Sequence, residues 1–155
     1  MRTRSTADPE STREFAIDMA RTLQDSKCTD VLLLDVRGRS QVCDFVIIAS
    51  GTSQRQMRAA AQDLEDLGKS RGQHPFRTNA DDGSTWIVVD FVEIVAHLFE
   101  PDQRLYYDLE LLHAEGKRID WRRPEGDTAP GRPGRPARAE GAGGAADRAS
   151  NGAEP

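Results

Sequence analysis

Apolar residues recur at helical spacing early in the chain. Phe15, Met19 and Leu23, with Ala16 and Ala20 beside them, mark one face of an amphipathic helix. Ser11 and Glu14 have the spacing of a capping box, so the pattern predicts a helix from Ser11 to about Gln24–Ser26, preceded by a frayed segment over 1–10. The period then changes. Val31–Val36 and Phe45–Ala49 are short, nearly continuous apolar runs bounded by Asp30, by Arg37-Gly38 and by Gly51, and their length and flanks predict buried strands. Ser53 and Gln56 repeat the capping spacing. Met57, Ala60, Ala61, Leu64 and Leu67 follow as one stripe, which predicts a second helix stopped by Gly68 or Gly72.

Further along, His74-Pro75-Phe76 suits the start of a short edge strand, where the missing proline N–H costs no ladder bond. Asp81-Asp82-Gly83-Ser84 is turn chemistry. Trp86–Phe91 and Ile94–Phe99 predict two more strands. Pro101 suits the first turn of a third helix capped at Glu100, with Leu105, Leu109 and Leu112 as its narrow apolar face. Strands alternating with amphipathic helices predict an α/β fold, a mixed β-sheet of about five strands with helices packed on it.

From Pro124 onward the pattern stops. Pro, Gly and Ala make up 20 of the last 32 residues, and no aliphatic side chain larger than Ala occurs among them. Such a segment buries too little to offset an ordering cost of roughly 1–2 kcal/mol per residue. The expected organisation is a disordered N-terminus over 1–10, a folded domain over 11–116 and a disordered tail over 117–155.

The formal charge of −5 argues against sequence-independent binding of RNA or DNA, which depends on Lys and Arg neutralising phosphates. An acidic protein acting on a nucleoprotein particle is expected to touch a protein on it. Cys28 and Cys43 have no CxxC spacing and no disulfide framework around them, and no signal peptide precedes them. A reduced, cytoplasmic setting is therefore expected, and no apolar run approaches the length of a membrane span.

Candidate chemistry is sparse. Gly51-Thr52-Ser53, leaving a strand and opening a helix, could hold a phosphate on free backbone amides, but no nucleotide-binding fingerprint surrounds it, and turning the chain and capping the helix is the better explanation. A nucleotidyl-transfer reading would use that turn together with Asp90. Two metal-bridging carboxylates on a strand must alternate to share a face, yet Val88 and Val92 occupy the positions flanking Asp90 at that period. His74, His97 and His113 are too scattered for metal-ligand spacing, and neither a GxSxG elbow nor a cysteine with an adjacent base occurs. No catalytic residue, metal or cofactor is expected. The aromatics point elsewhere: Trp86, His97, Phe99, Tyr106 and Tyr107 gather with Arg104 in the last third of the domain, and aromatics and arginine are the usual anchors of protein interfaces. Alternation puts Trp86, Val88 and Asp90 on one strand face, and a tryptophan sharing its face with an aspartate suggests partial exposure.

Several of these segments, in the same order, resemble the ribosome silencing factor (Iojap-like) family. They are Asp35-Val36-Arg37-Gly38, the run Asp44-Phe45-Val46-Ile47-Ile48-Ala49-Ser50-Gly51-Thr52-Ser53-Gln54-Arg55-Gln56, Trp86-Ile87-Val88-Val89-Asp90, Val95-Ala96-His97-Leu98-Phe99 and Arg104-Leu105-Tyr106-Tyr107-Asp108-Leu109-Glu110. The resemblance spans about residues 12–113. It implies a nucleotidyltransferase-like fold that is catalytically empty. It further implies binding to the large ribosomal subunit through the universal fourteenth ribosomal protein on the intersubunit face, with little direct RNA contact, so that the small subunit cannot join. Some members also dimerise, so a homodimer is a further expectation. By that similarity the docking surface comprises Trp86 and Asp90 on one strand, His97, Leu98 and Phe99 on the next, and Arg104, Tyr106 and Tyr107 on the helix. The chain departs from the family where Val92 and Glu93 replace a common glycine and aspartate, and where His113 replaces a tryptophan. Valine resists positive φ, so a differently shaped turn is expected at Val92.

Overall fold

The computed structural model describes residues 8–81 and 83–124. Along them run α1 (Pro9–Asp25), β1 (Thr29–Asp35), β2 (Phe45–Ser50), α2 (Gln54–Ser70), β3 (Arg77–Ala80), β4 (Trp86–Asp90), β5 (Ile94–Phe99), α3 (Pro101–Tyr107), α4 (Leu109–Leu112) and β6 (Lys117–Arg118). The strands form one mixed sheet of six in the order β3-β4-β5-β2-β1-β6. β2 and β5 pair in parallel at its centre, and the other pairings are antiparallel. Every residue of β2 is buried, as an unbroken apolar run covered on both faces should be.

The two long helices lie on one face. Phe15, Met19 and Leu23 of α1 and Met57, Ala60 and Leu64 of α2 pack against Leu33, Phe45, Ile47, Ile87, Val89, Ala96 and Leu98. The opposite face carries a smaller cluster, Leu34, Val36, Cys43, Val46, Ile48, Val95 and Phe99, with Leu32, Trp86, Val88 and Leu109 only partly buried against it. Alternation along β2, β4 and β5 thus feeds two cores of unequal thickness.

The second helix follows its sequence signal. The Gln56 amide donates to Ser53 Oγ (3.1 Å) while Gln56 Oε1 accepts from the Thr52 amide (3.0 Å). At its other end Gly72, with φ of +72°, turns the chain away. Four other features depart from expectation. Helix α1 starts at Pro9 rather than Ser11, because Pro9 brings a helical φ and lacks only an N–H that would find no partner there. Asp8 is the cap, and the Thr12 amide closes the first turn on its carbonyl (3.1 Å). The edge strand is Arg77–Ala80, just past His74-Pro75-Phe76, with the Phe76 amide already bonded to the Asp90 carbonyl (2.7 Å).

The third helix breaks. Asp108 takes a left-handed conformation (φ 46°, ψ 52°), a state that Asp tolerates better than most residues, and the chain restarts as the short α4. The break destroys the stripe expected of Leu105, Leu109 and Leu112: only Leu109 packs on the sheet, and Leu105 and Leu112 are exposed.

The domain also continues past residue 116. β6 pairs with Leu34 and Asp35 of β1, and the Ile119 amide bonds to the Leu33 carbonyl (2.9 Å). Trp121 is buried in the helix-side core, its indole donating to the Val31 carbonyl (3.1 Å) while its own carbonyl accepts from Arg21 Nε (2.7 Å). Arg123 then grips Asp25 with two bonds of 2.9 and 2.8 Å. The boundary expected at 116/117 therefore falls inside the fold, which reaches Pro124. The disorder expected of residues 1–7 and 125–155 lies outside the described residues.

Candidate functional site

The thinner side of the sheet is where the sequence-predicted residues meet. β4 and β5 pair antiparallel with Trp86 opposite Phe99 and Val88 opposite His97, so these four side chains share that side. Trp86 stacks on Phe99 (ring centroids 5.0 Å, interplanar angle 27°) and meets Tyr107 of α3 at 4.5 Å. Tyr106 stands edge-on to Tyr107 at 5.1 Å. The indole N–H of Trp86 donates to Nδ1 of His97 (3.2 Å), which fixes the ring's rotation within the sheet face. That bond needs a neutral imidazole. Burial, and next the neighbouring His113, push the His97 pKa down to about 4 against the opposite pull of Asp90.

The eight residues divide by accessibility. Tyr106 is 78% exposed, Tyr107 is also exposed, and Trp86 and His97 are half-buried, so these four reach the surface together. Phe99 is fully buried beneath Trp86 and supports it from below. Leu98, at 0% exposure, points to the helix side of the sheet and belongs to the other core. Asp90 is buried at the far end of β4, accepting from the Val92 amide (2.8 Å) and facing Arg77 (3.8 Å). Arg104 is turned inward, with 14% of its side chain exposed. Phe99 and Arg104 thus support the face from within, whereas Leu98 belongs to the opposite core and Asp90 lies at the far end of the strand. Alternation alone puts Leu98 opposite in direction to His97, a signal that the run Val95–Phe99 contains.

Other residues of this surface were not expected there, Leu105 and Leu112 having been assigned to the apolar face of the third helix. Val88 is half-buried between Trp86 and Asp90 on the same face. Leu105, Leu111 and Leu112 of α3 and α4 are likewise exposed, Leu112 to 74%. Adjacent leucines at 111 and 112 were the available signal, since one helical stripe cannot take both.

The features of the nucleotidyl-transfer reading do not converge. Ser50, just before the Gly51-Thr52-Ser53 turn, lies level with Phe99, whereas Asp90 lies level with Val95. Four residues of strand separate those levels, about 13 Å at 3.3 Å per residue. Ser53 is spent on its helix, and a Cβ added at Gly51 would collide with the Met57 side chain, so that glycine permits the close strand-to-helix turn. Among the described residues no group of three or more His, Cys, Asp or Glu is placed to hold a metal ion. Cys28 and Cys43 are both buried. No helix among the described residues is long and apolar enough to cross a membrane.

Fold and face define a small α/β protein whose sheet is covered by long helices on one side and presents an aromatic, partly open surface on the other. The family model for the ribosomal silencing factor during starvation, RsfS, matches residues 9–146. A ribosomal silencing factor of Bacillus subtilis is 33% identical over 101 residues, covering 65% of this chain and 86% of that one. A mouse protein named for mitochondrial assembly of the ribosomal large subunit is 31% identical over 103 residues, covering 64% of this chain and 45% of its own length. A crystal structure from Chromobacterium violaceum superposes with a TM-score of 0.62 at 26% identity, covering 78% of this chain and 98% of that one. The chain belongs to the ribosomal silencing factor family, a family of translation regulators that act through the ribosome.

Proposed function

We propose that the chain binds the large ribosomal subunit through the universal fourteenth ribosomal protein on its intersubunit face, and that the bound domain blocks joining of the small subunit. The observation that carries this reading is the cluster Trp86, His97, Tyr106 and Tyr107, extended by the exposed leucines of α3 and α4. Large amphipathic rings held in place by stacking lose little entropy when a partner covers them, and such groups dominate binding energy at protein interfaces. The name of the mouse relative supports the choice of subunit. The formal charge of −5 favours a protein over an RNA partner.

Steric exclusion requires no chemistry. It requires a residence time longer than the encounter of the subunits, and stable interfaces bury on the order of 1,200–2,000 Å². Asp90 and Phe99 contribute by fixing the β4–β5 turn and the floor under Trp86.

The test is sedimentation of the purified protein with isolated subunits, followed by a reassociation assay. Co-migration with the large subunit and a lowered yield of whole ribosomes are expected. Trp86→Ala, checked for an intact fold, should weaken binding by about 2 kcal/mol or more. Unchanged binding of that variant would remove the tryptophan from the interface, and migration with neither subunit would sink the reading.

A further inference from the structure

We propose that Arg104 is a positioning residue that clamps the α3–α4 elbow to the sheet and so sets the place of Tyr106 and Tyr107, without touching the ribosomal partner. The proposal rests on the function just described, and it starts from a deficit. Neither α3 nor α4 contains a buried residue, and helices of seven and four residues are too short to persist alone. Between them Asp108 holds a left-handed conformation. Apolar packing from Leu109 and Tyr107 is the elbow's main hydrophobic anchor on the sheet.

A guanidinium makes up the difference. Arg104 Nε donates to Glu110 Oε1 (2.5 Å), a bond that spans the break at Asp108 and fixes one short helix against the other. Arg104 Nη1 donates to the Asp30 carbonyl (2.7 Å) and to Ser50 Oγ (2.9 Å). Asp30 lies in β1 at a register irregularity and itself has positive φ (49°), and Ser50 is buried at the end of β2. One side chain therefore ties α3 to α4, β1 and β2 at once. The fork geometry is essential, because three acceptors in different directions need donors held in a plane, and a lysine ammonium on a flexible stem cannot reproduce them. Of the three acceptors Ser50 Oγ is buried, and a bond from a charged donor to a buried acceptor is the costly kind to lose.

The experiment uses the full chain with Arg104→Lys and, separately, Tyr106→Ala, measured two ways: hydrogen exchange of the amides over 101–113, and binding to isolated large subunits. In Arg104→Lys the elbow amides should exchange at least roughly tenfold faster while β2 and β5 stay protected, and binding should weaken by a similar factor. Tyr106→Ala should weaken binding with elbow exchange unchanged. Full protection of the elbow in Arg104→Lys overturns the proposal, and if binding is nonetheless lost, Arg104 is a contact residue instead. A loosened elbow that binds as well as the wild type overturns it too. A loosened elbow in a protein whose wild type binds no ribosomal subunit leaves the clamp standing and removes the functional reading.

Discussion

Val92 carries a backbone angle that its side chain resists. At φ 75° it sits in the left-handed region, where a β-branched residue is a genuine outlier. The sequence, with valine where the family resemblance implies a glycine, suggested a turn of another shape. The positive φ is adopted nonetheless, held by the Val92 amide on Asp90 Oδ1 and by the Phe91 amide on the Ile94 carbonyl (both 2.8 Å). Strain of this kind costs on the order of 1–3 kcal/mol. Val92→Gly should therefore stabilise the fold by about 1 kcal/mol, after the extra freedom glycine gains in the unfolded chain. A lowered denaturant midpoint would mean that the valine side chain contributes more than its backbone loses. His97 makes a second prediction. Its pKa is about 4 in the fold against 6.5 as the reference, so between those values the unfolded chain holds the extra proton. Its contribution to stability is thus complete above about pH 6.5 and lost as pH falls towards 4, by up to roughly 3 kcal/mol. Urea unfolding of the wild type and His97→Gln across pH 4–7 isolates this share, and parallel curves would refute it. At this scale the aromatic set was legible, because alternation and residue type identify it locally. The inward turn of Arg104 was not, because its acceptors Asp30 and Ser50 lie 74 and 54 residues away in sequence.

Elements were legible where one signal decided them. β2, β5 and α2 are strongly periodic or continuously apolar, and their bounds fall within about a residue of the pattern. The third helix failed because the spacing of Leu105, Leu109 and Leu112 continues through Asp108 while the backbone does not. β6 failed for a different reason. Two charged residues, Lys117 and Arg118, carry no strand signal, and they pair only because Ile119 and Trp121 must reach the core. The closing segment predicts the result of truncation. A chain ending at Pro124 should unfold at the same denaturant concentration as the full protein, whereas one ending at Gly116 loses Trp121 and should be destabilised by at least 3–5 kcal/mol, the usual cost of deleting a core tryptophan. Equal midpoints for the two would show that the return to β1 adds nothing to stability.

On the scale of the molecule, the sheet's two sides do different work. The helix side is thick, with apolar stripes of α1 and α2 matching the strands they cover. Among the described residues the other side is finished only by short helices, which leaves Trp86, Val88 and His97 half-open. Mixed α/β layering was readable from the order of elements. Which face stays open was not, since that depends on how far α3 and α4 reach once the helix has broken. The central parallel seam has a consequence in time. Phe45 pairs with Ile94, about fifty residues later in the chain, so β2 and β5 can meet only after the intervening loop has closed. The β3–β4 and β4–β5 pairs join neighbours in sequence and can form early. The seam that organises the sheet is therefore expected to form late on the way to the native state. Until it closes, the six apolar-to-small residues of β2 remain an unpaired edge, and this interval is when the chain is most open to aggregation.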